Sequence, residues 1–404
     1  MEAAQGGLHL GENGAPLMSA SRGRPEESRS QGAATALDFF AGSGLVRVGL
    51  EPHFQTVWAN DNCAKKAAVY QANFGASDFY LGSIEDVRGA SLPRVDLAWA
   101  SFPCQDLSLA GNMEGMKAGT RSGLFWEWLR VLDEMGAEKK RPSILLAENV
   151  VGFLVADGGA HFKAAYDALR ERGYHAGAVV VDARHFLPQS RPRAFLIAAE
   201  RGIELDGLTQ RAPSEPFHTR GVRNAAAVVA DPEWVWWSLP LPSERPPRFM
   251  DLYEPQAECA STTSLDDLEH LLSPLNRHKL EAVLRSRRVV VGTGYRRTRP
   301  SESGGRQQRL ELRFDGVAGC LRTPEGGSSR QVVVVVEKGR VRTRLMTVRE
   351  CARLMGAPEA YEIPGSYNDG YRAMGDAVAV PVTRWLAQHI LAPLSQRRRK
   401  RRAA

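Results

Sequence analysis

Cysteine is scarce: five in 404 residues, at 63, 104, 259, 320 and 351, with no Cys-x-x-Cys pair. An odd count without that spacing excludes a disulfide framework and a structural zinc centre, so no metal site is expected. Long apolar runs are missing too. None approaches the roughly 20 residues a membrane helix needs. Residues 1–33 lack the basic–apolar–small order of a signal peptide, so a cytoplasmic protein with no membrane partner is expected. No internal repeat is visible, which excludes a solenoid. Neither charge sign dominates: 53 Lys and Arg face 46 Asp and Glu, a net +7. With 43% hydrophobic and 25% charged residues, a wholly disordered or fibrous chain is excluded. The length suggests two to three domains.

What charge there is lies unevenly. Residues 397–402 read RRRKRR and carry +6, and nine arginines against two glutamates give 285–313 a charge of +7. The rest of the chain is therefore slightly acidic. A neutral body with one internal arginine-rich segment points to nucleic acid more than overall basicity would, because phosphate contacts need local charge. The terminal run reads as a non-specific electrostatic arm or a solvated one.

Residues 1–33, rich in Gly, Ser, Glu and Ala, read as a disordered arm. From Ala34 short apolar runs (36–40, 56–59, 95–100, 144–147, 178–181, 195–199) alternate with amphipathic stretches (63–74, 122–135, 161–172). That alternation predicts an α/β fold with a doubly wound, largely parallel sheet. It stops near 200. Residues 202–340 read as a second, less regular domain with exposed loops, including an arginine-rich stretch and the strand Val332–Val336. Its tryptophans at 234, 236 and 237 suit packing better than base stacking. Helical period returns at 347–355 and 380–391, so 341–394 closes the first domain begun at 34–201, and 395–404 is a basic tail.

Two loops carry chemistry. Leu37-Asp38-Phe39-Phe40-Ala41-Gly42-Ser43-Gly44 ends the first strand and opens a helix. Its glycines allow a tight turn and close approach of a ligand to main-chain amides, at the carboxyl end of the sheet. No third glycine completes the dinucleotide fingerprint, so the loop suits an adenosyl ligand without a pyrophosphate. Asp61, at the end of the second strand, stands where an acid binds ribose hydroxyls. After the fourth strand comes Ser101-Phe102-Pro103-Cys104-Gln105-Asp106-Leu107-Ser108, a thiol in a polar, proline-bounded loop rather than in a core. Glu148-Asn149-Val150 follows the next strand, and Gln189-Ser190-Arg191-Pro192-Arg193 leads into another.

In these segments the chain resembles the cytosine-C5 DNA methyltransferases, in that family's motif order, across most of 35–394. Arg344-x-x-Thr347-x-Arg349-Glu350 and Met374-Gly375-Asp376-Ala377-Val378 extend the likeness. The resemblance implies a Rossmann-like, S-adenosylmethionine-dependent methyltransferase sheet with an inserted, smaller and irregular DNA-recognition domain. Cytosine C5 is a weak nucleophile. A thiolate adding at C6 makes an enamine that can take a methyl group, which is covalent catalysis. By resemblance Cys104 is that nucleophile, and Glu148 holds or protonates the ring near N3. Arg193 clamps the flipped base or a nearby phosphate, with Arg191 counted in the catalytic set and Gln189 among DNA contacts, both supporting the loop.

S-adenosylmethionine is implied as cofactor, held by Phe40, Ala41, Gly42, Ser43, Gly44, Asp61, Asn62, Ser83, Ile84, Pro103, Leu124, Asp376, Ala377 and Val378. Duplex DNA is the implied partner, with the target base extruded from the stack. Its expected contacts are Gln105 and Ser108, the arginines Arg296, Arg297 and Arg299, and the loop Gly326, Gly327, Ser328, Ser329 and Arg330. Three positions depart from the family pattern: Asn62 where an aromatic is frequent, Ser83 where Asp is, and Asp376 where Asn is. The layout matches the modification enzyme of a bacterial or phage restriction–modification system. Such an enzyme would be monomeric and share its site with a cognate endonuclease.

Overall fold

A computed structural model describes residues 33–103, 123–257, 270–286, 288–300, 305–323 and 330–403. The contacts separate residues up to Ala33 from the unit that begins at Ala34. The expected arm lies, Ala33 aside, outside the described residues, as do Cys104, Gln105, Ser108 and the loop 324–329.

The unit is built on a seven-stranded sheet of order β3-β2-β1-β4-β5-β7-β6. Its strands are β1 (Ala34–Phe39), β2 (Phe54–Asp61), β3 (Phe79–Leu81), β4 (Leu97–Ser101), β5 (Ile144–Val150), β6 (Tyr174–Asp182) and β7 (Pro192–Glu200). β1 to β5 run parallel, while β7 runs antiparallel to both β5 and β6. Between them lie helices α1 (Leu45–Leu50), α2 (Ala64–Phe74), α3 (Leu124–Ala137) and α4 (Ala160–Glu171). The strands are apolar on both faces because both are covered, as a doubly wound sheet requires. Leu37, Phe39, Ala98 and Leu196 face a core shared with α3 and α4; Ala36, Trp99, Leu146 and Phe195 face the other, shared with α1.

Residues 203–237 pack on this sheet, so the change in packing comes well after the expected boundary at 202. Helix α5 (Arg220–Val229) buries Val222, Ala225 and Val229 in the α4-side core. Trp237 is buried on the other side and donates to the Gly177 carbonyl of β6 at 3.2 Å. A Cβ on Gly177 would lie 1.8 Å from the Val235 carbonyl oxygen, so only glycine lets this segment close on the strand. Trp234 stacks on Tyr166 with ring centroids 5.2 Å apart. The tryptophans serve packing, as expected.

The second sheet has order β11-β10-β8-β9, all antiparallel. It comprises β8 (Val290–Pro300), β9 (Arg306–Arg313), β10 (Val332–Glu337) and β11 (Arg340–Leu345), with helix α6 (Pro274–Arg285) against it. One face forms a small core with α6 from Leu280, Leu310, Leu312, Val334 and Val336. On the opposite face Val291, Val333 and Val335 join the large core. The smaller sheet thus shares its interior with the larger unit, and regular structure runs through the arginine-rich stretch that reads as exposed loops. Residues 296–299 and 306–309 of that hairpin are all Arg, Thr or Gln, so its outer half carries no apolar period to betray a strand.

The chain then returns through α7 (Val348–Leu354), α8 (Tyr367–Asp376) and α9 (Val380–Leu386), a π-helical turn at 387–391, and α10 (Ala392–Ala403). Thr347 caps α7 through a reciprocal capping box with Glu350, whose buried carboxylate also pairs with Arg344 at 2.6 Å.

The basic tail is not a free arm, although Lys400 and Arg401 are exposed. It is the end of α10, and its arginines grip the amino edge of the large sheet. Arg397 donates to the Glu204 carbonyl, Arg398 pairs with Glu200 at 3.2 Å, and Arg399 pairs with Asp96 at 2.8 Å. Asp96 also accepts from the Thr35 amide as β1 begins. Truncation at Gln396 is therefore expected to lower unfolding free energy by about 1 kcal/mol. DNA affinity should stay within about twofold, because the tail docks at the edge opposite the glycine loop. A titration showing a steep affinity loss in the truncated chain would restore the electrostatic-arm reading.

Candidate functional site

The carboxyl rim of the large sheet gathers the expected residues. Phe39 pairs with Asn60 and with Ala100, and Ser101 with Glu148, so the ends of β1, β2, β4 and β5 lie level. Because β7 runs the other way, its first residues reach the same rim: Val150 pairs with Arg193.

On one side is the glycine loop. Phe40 has φ 58°, a region costing an L residue roughly 1–3 kcal/mol. Gly42 (φ 56°) and Gly44 (φ 82°) share that sign. At Gly44 a Cβ would meet Phe74 at 2.7 Å and Tyr70 at 2.8 Å, so this glycine is demanded by packing. At Gly42 the nearest atoms to a Cβ are Lys66 Cδ at 3.8 Å and Asp61 Oδ2 at 4.0 Å, leaving room beside the turn. Asp61 braces the loop, accepting from the Gly42 amide at 2.9 Å and the Cys63 amide at 2.8 Å. The Ala41 amide donates to the Asn60 carbonyl at 2.8 Å. Ser43 turns inward, its hydroxyl bonding the Ala373 carbonyl at 3.3 Å and its carbonyl accepting from Tyr361 Oη.

Behind the loop, the buried Asp38 carboxyl has no hydrogen-bond partner among the described residues, and burial pushes its pKa well above the usual range. Open space beside Gly42, the Asp61 carboxylate at the end of β2 and an orphaned polar group behind the turn fit the adenosyl cofactor expected here.

The other expected cofactor residues spread around this loop. Asn62 is exposed on the rim. Ser83 caps a short 3-10 turn by accepting from the Glu85 amide, and Ile84 is buried beside Phe39 and Phe102 in the α3-side core. Pro103 is exposed after buried Phe102, and Leu124 opens α3 packed on the same core. Asp376 accepts from Thr323 Oγ1 and pairs with Lys66 at 2.6 Å, closing the loop's open side. Ala377 and the buried Val378 follow. Lys66 is a contributor that no sequence motif signals, since only the fold brings α2 to Asp376.

On the other side stands Glu148, buried at 6% exposure. Its Oε1 lies 3.2 Å from Arg193 Nε, and Ser101 also hydrogen-bonds its carboxylate. Trp99 Nε1 donates to Ser101 Oγ at 2.9 Å, fixing that hydroxyl. Burial pushes the Glu148 pKa above the ordinary 4.5, with Arg193 and Arg191 opposing but not cancelling it. A buried acid beside a single guanidinium can bind a proton and give it up again. Asn149 holds the preceding loop, donating to the Phe102 carbonyl at 3.0 Å.

Two expected site residues face inward instead. Arg191, grouped with the catalytic set, is 2% exposed and donates to the carbonyls of Leu321, Gly375 and Ala377 at 2.7–2.8 Å. Burial and the neighbouring Arg193 charge push its pKa down to about 10, so it remains charged at neutral pH. Gln189, grouped with DNA contacts, is fully buried. It donates to the Leu354 carbonyl at 2.7 Å and accepts from the Leu321 amide at 3.1 Å. Both lie too deep for substrate. They tie the smaller sheet's exit and the last helices to β7, as the loop-supporting role anticipates.

Among the expected DNA contacts, Arg297 lies directly across from Arg309 on the β8–β9 hairpin, and its guanidinium stands 5.1 Å over the Tyr295 ring. Arg296 and Arg299 flank it on β8, and Arg330 hydrogen-bonds Asn368 near the rim.

No helix among the described residues is long and apolar enough to cross a membrane, and none of them form a metal-ligating cluster. The C-5 cytosine-specific DNA methylase family model matches residues 34–392. The Type II methyltransferase M.Bsp6I of Bacillus sp. (strain RFL6) is 27% identical over 356 residues, covering 87% of this chain and 96% of its own. M.HhaI of Haemophilus parahaemolyticus, also a Type II methyltransferase, is 26% identical over 363 residues, covering 88% and 93%. The crystal structure of S. pombe Dnmt2 methyltransferase superposes with a TM-score of 0.57 at 17% identity, covering 89% of this chain and 99% of that one. The match spans both carboxyl-rim loops and the closing helices, and the chain belongs to the C-5 cytosine-specific DNA methylase family, whose members transfer a methyl group from S-adenosylmethionine to C5 of cytosine in DNA.

Proposed function

We propose that this chain is the modification enzyme of a restriction–modification system, working as a monomer in a bacterial or phage-infected cytoplasm, with Cys104 and Glu148 at its reacting centre. The Type II relatives support the biological setting. The observation that carries the residue assignment is Glu148: a buried carboxyl whose pKa burial raises, level with Ser101 three residues before Cys104 and paired with Arg193. S-adenosylmethionine supplies the electrophilic methyl group when bound. Its holders would be the 40–44 loop and Asp61, with Asp376 to Val378 closing over them.

The chain's own residues prepare the base. Cys104, which lies outside the described residues, would add its sulfur to C6, forming the S–C6 bond as ring electrons move toward N3. Glu148 would place a proton at N3 as that charge develops and accept from the exocyclic amine, which selects cytosine. Arg193 would hold the carboxyl in place and face the base or its phosphate. After methylation at C5, return of the N3 proton to Glu148, loss of the C5 proton to a base and expulsion of the thiolate would restore the ring. Duplex DNA with 5-fluorocytosine at the target blocks that proton loss. With donor present, the parent protein is expected to form a denaturant-stable adduct whose tryptic map places the base on the Cys104 peptide. An adduct on any other cysteine peptide, or bisulfite sequencing that finds no new 5-methylcytosine in expressing cells, would refute the assignment.

The DNA-reading surface on this proposal is the β8–β9 hairpin. Like charges directly across an antiparallel pair are unfavourable unless a polyanion faces them, and Arg297 stands opposite Arg309. Arg297→Ala is expected to weaken target binding by about 1–3 kcal/mol if it reads a base, or to reduce the salt slope by about 1 if it holds a phosphate. A variant that binds with unchanged affinity and salt slope would remove the hairpin from the interface.

A further inference from the structure

Cys320 stands between the two arginines of the site. Its sulfur lies 3.4 Å from Arg191 Nη1 and 4.0 Å from Arg193 Nη2, and its S–H is directed to the Leu321 carbonyl at 3.3 Å. Arg193 is thereby held on three sides. Nε faces Glu148 at 3.2 Å, Nη1 donates to the Pro192 carbonyl at 2.9 Å, and Nη2 faces the sulfur. The guanidinium's shortest contact with the carboxylate is through Nε, and its other two nitrogens have partners of their own.

That geometry has a chemical consequence. Two parallel N–H bonds to a carboxylate hold it ionised far more strongly than one does. A Glu148 clamped in that way could not carry a proton to the ring. We propose that Cys320 is a positioning residue for methyl transfer: its sulfur keeps Arg193 from turning a second nitrogen onto Glu148. The proposal rests on Glu148 being the acid that meets the base. The charged and titratable groups around the sulfur and its two arginines are Arg191 and Arg193 themselves, Arg322 two residues on, Glu148 on β5, and Tyr371 and Asp376 on α8. The three arginines pull the thiol below the usual thiol range despite its burial.

The test compares Cys320→Val, which removes the acceptor at similar size, with Cys320→Ser, which keeps an acceptor. The valine variant should lose about tenfold in kcat with KM for DNA within about twofold, and its alkaline limb should move to lower pH. The serine variant should retain the parent profile. Serine and valine behaving alike, or a valine variant with an unmoved alkaline limb, would overturn the proposal.

A second measurement needs no change at 320. The rate of iodoacetamide labelling of the Cys320 peptide, followed by mass spectrometry against pH, should reach its half-maximum at lower pH in Glu148→Gln than in the parent. There Arg193 is released toward the sulfur. Coincident curves would show that the two groups are not coupled and end the proposal. Shifted curves with a normal pH profile in the valine variant would keep the contact and overturn Glu148 as the acid.

Discussion

Glu148→Gln is expected to lower kcat about 10²- to 10⁴-fold, the range spanned by a well-placed acid–base group, while leaving the fold intact. Glutamine keeps the shape and can still accept from Ser101, whose hydroxyl is fixed by Trp99. It cannot carry a proton to N3. The same change should raise stability at neutral pH, and the sign follows from linkage. The folded-state pKa of Glu148 lies above the ordinary 4.5, so the folded protein binds this proton more tightly than the unfolded chain does. The group's unfavourable contribution is therefore absent below about 4.5 and grows as pH rises through the raised folded value. Parent and variant should unfold alike in acid, with the variant the more stable at pH 7. Denaturant titrations at several pH values, alongside single-turnover rates, check both halves. A variant that is active, or one less stable at pH 7 than in acid relative to the parent, would show that Glu148 is merely a salt-bridge partner.

Arg191→Ala should cost about 3–5 kcal/mol of unfolding free energy, the scale for removing one partner from a buried charged network. Three carbonyls, of Leu321, Gly375 and Ala377, would lose their donor, and each buried orphan carries a penalty of about 1–3 kcal/mol. Arg191→Lys should recover little, because one ammonium cannot span acceptors that the guanidinium fork reaches in two directions. Urea unfolding monitored by tryptophan fluorescence reads this directly. A loss under 1 kcal/mol would mean that water replaces the side chain. Activity alone would mislead, since the variant disturbs Gly375 to Ala377 and the segment leading to Thr323 together.

That pair of arginines shows where sequence reading stops. Gln-x-Arg-x-Arg places both guanidiniums at the start of β7, and strand alternation sends them the same way. Nothing local says that the first is buried at 2% exposure while the second reaches Glu148, because the difference is set by carbonyls about 130 and 185 residues away. The parallel strands and the glycine loop were legible because their signals are local: apolar runs, glycine at positive φ, an acid ending the next strand. The outer half of the hairpin carrying Arg296 and Arg297 was not, since residues 296–299 and 306–309 are all polar and carry no hydrophobic period. The tail misled for a related reason. Six adjacent cations look solvated until the fold sets the Glu204 carbonyl, Glu200 and Asp96 against the first three of them.

The β8–β9 hairpin divides sharply along its length. Near its root, Gly294, Leu310 and Leu312 are buried, while Arg296, Thr298, Arg306 and Gln308 toward its end are exposed. On the proposal that this hairpin reads DNA, substitutions at the root would be filtered by folding and those nearer the tip almost solely by which duplex is bound. Target preference can therefore drift, or be selected from a randomised library at 296–298 and 306–308, without reopening the methyl-transfer centre. A lineage could change the sequence it marks while inheriting its chemistry unaltered.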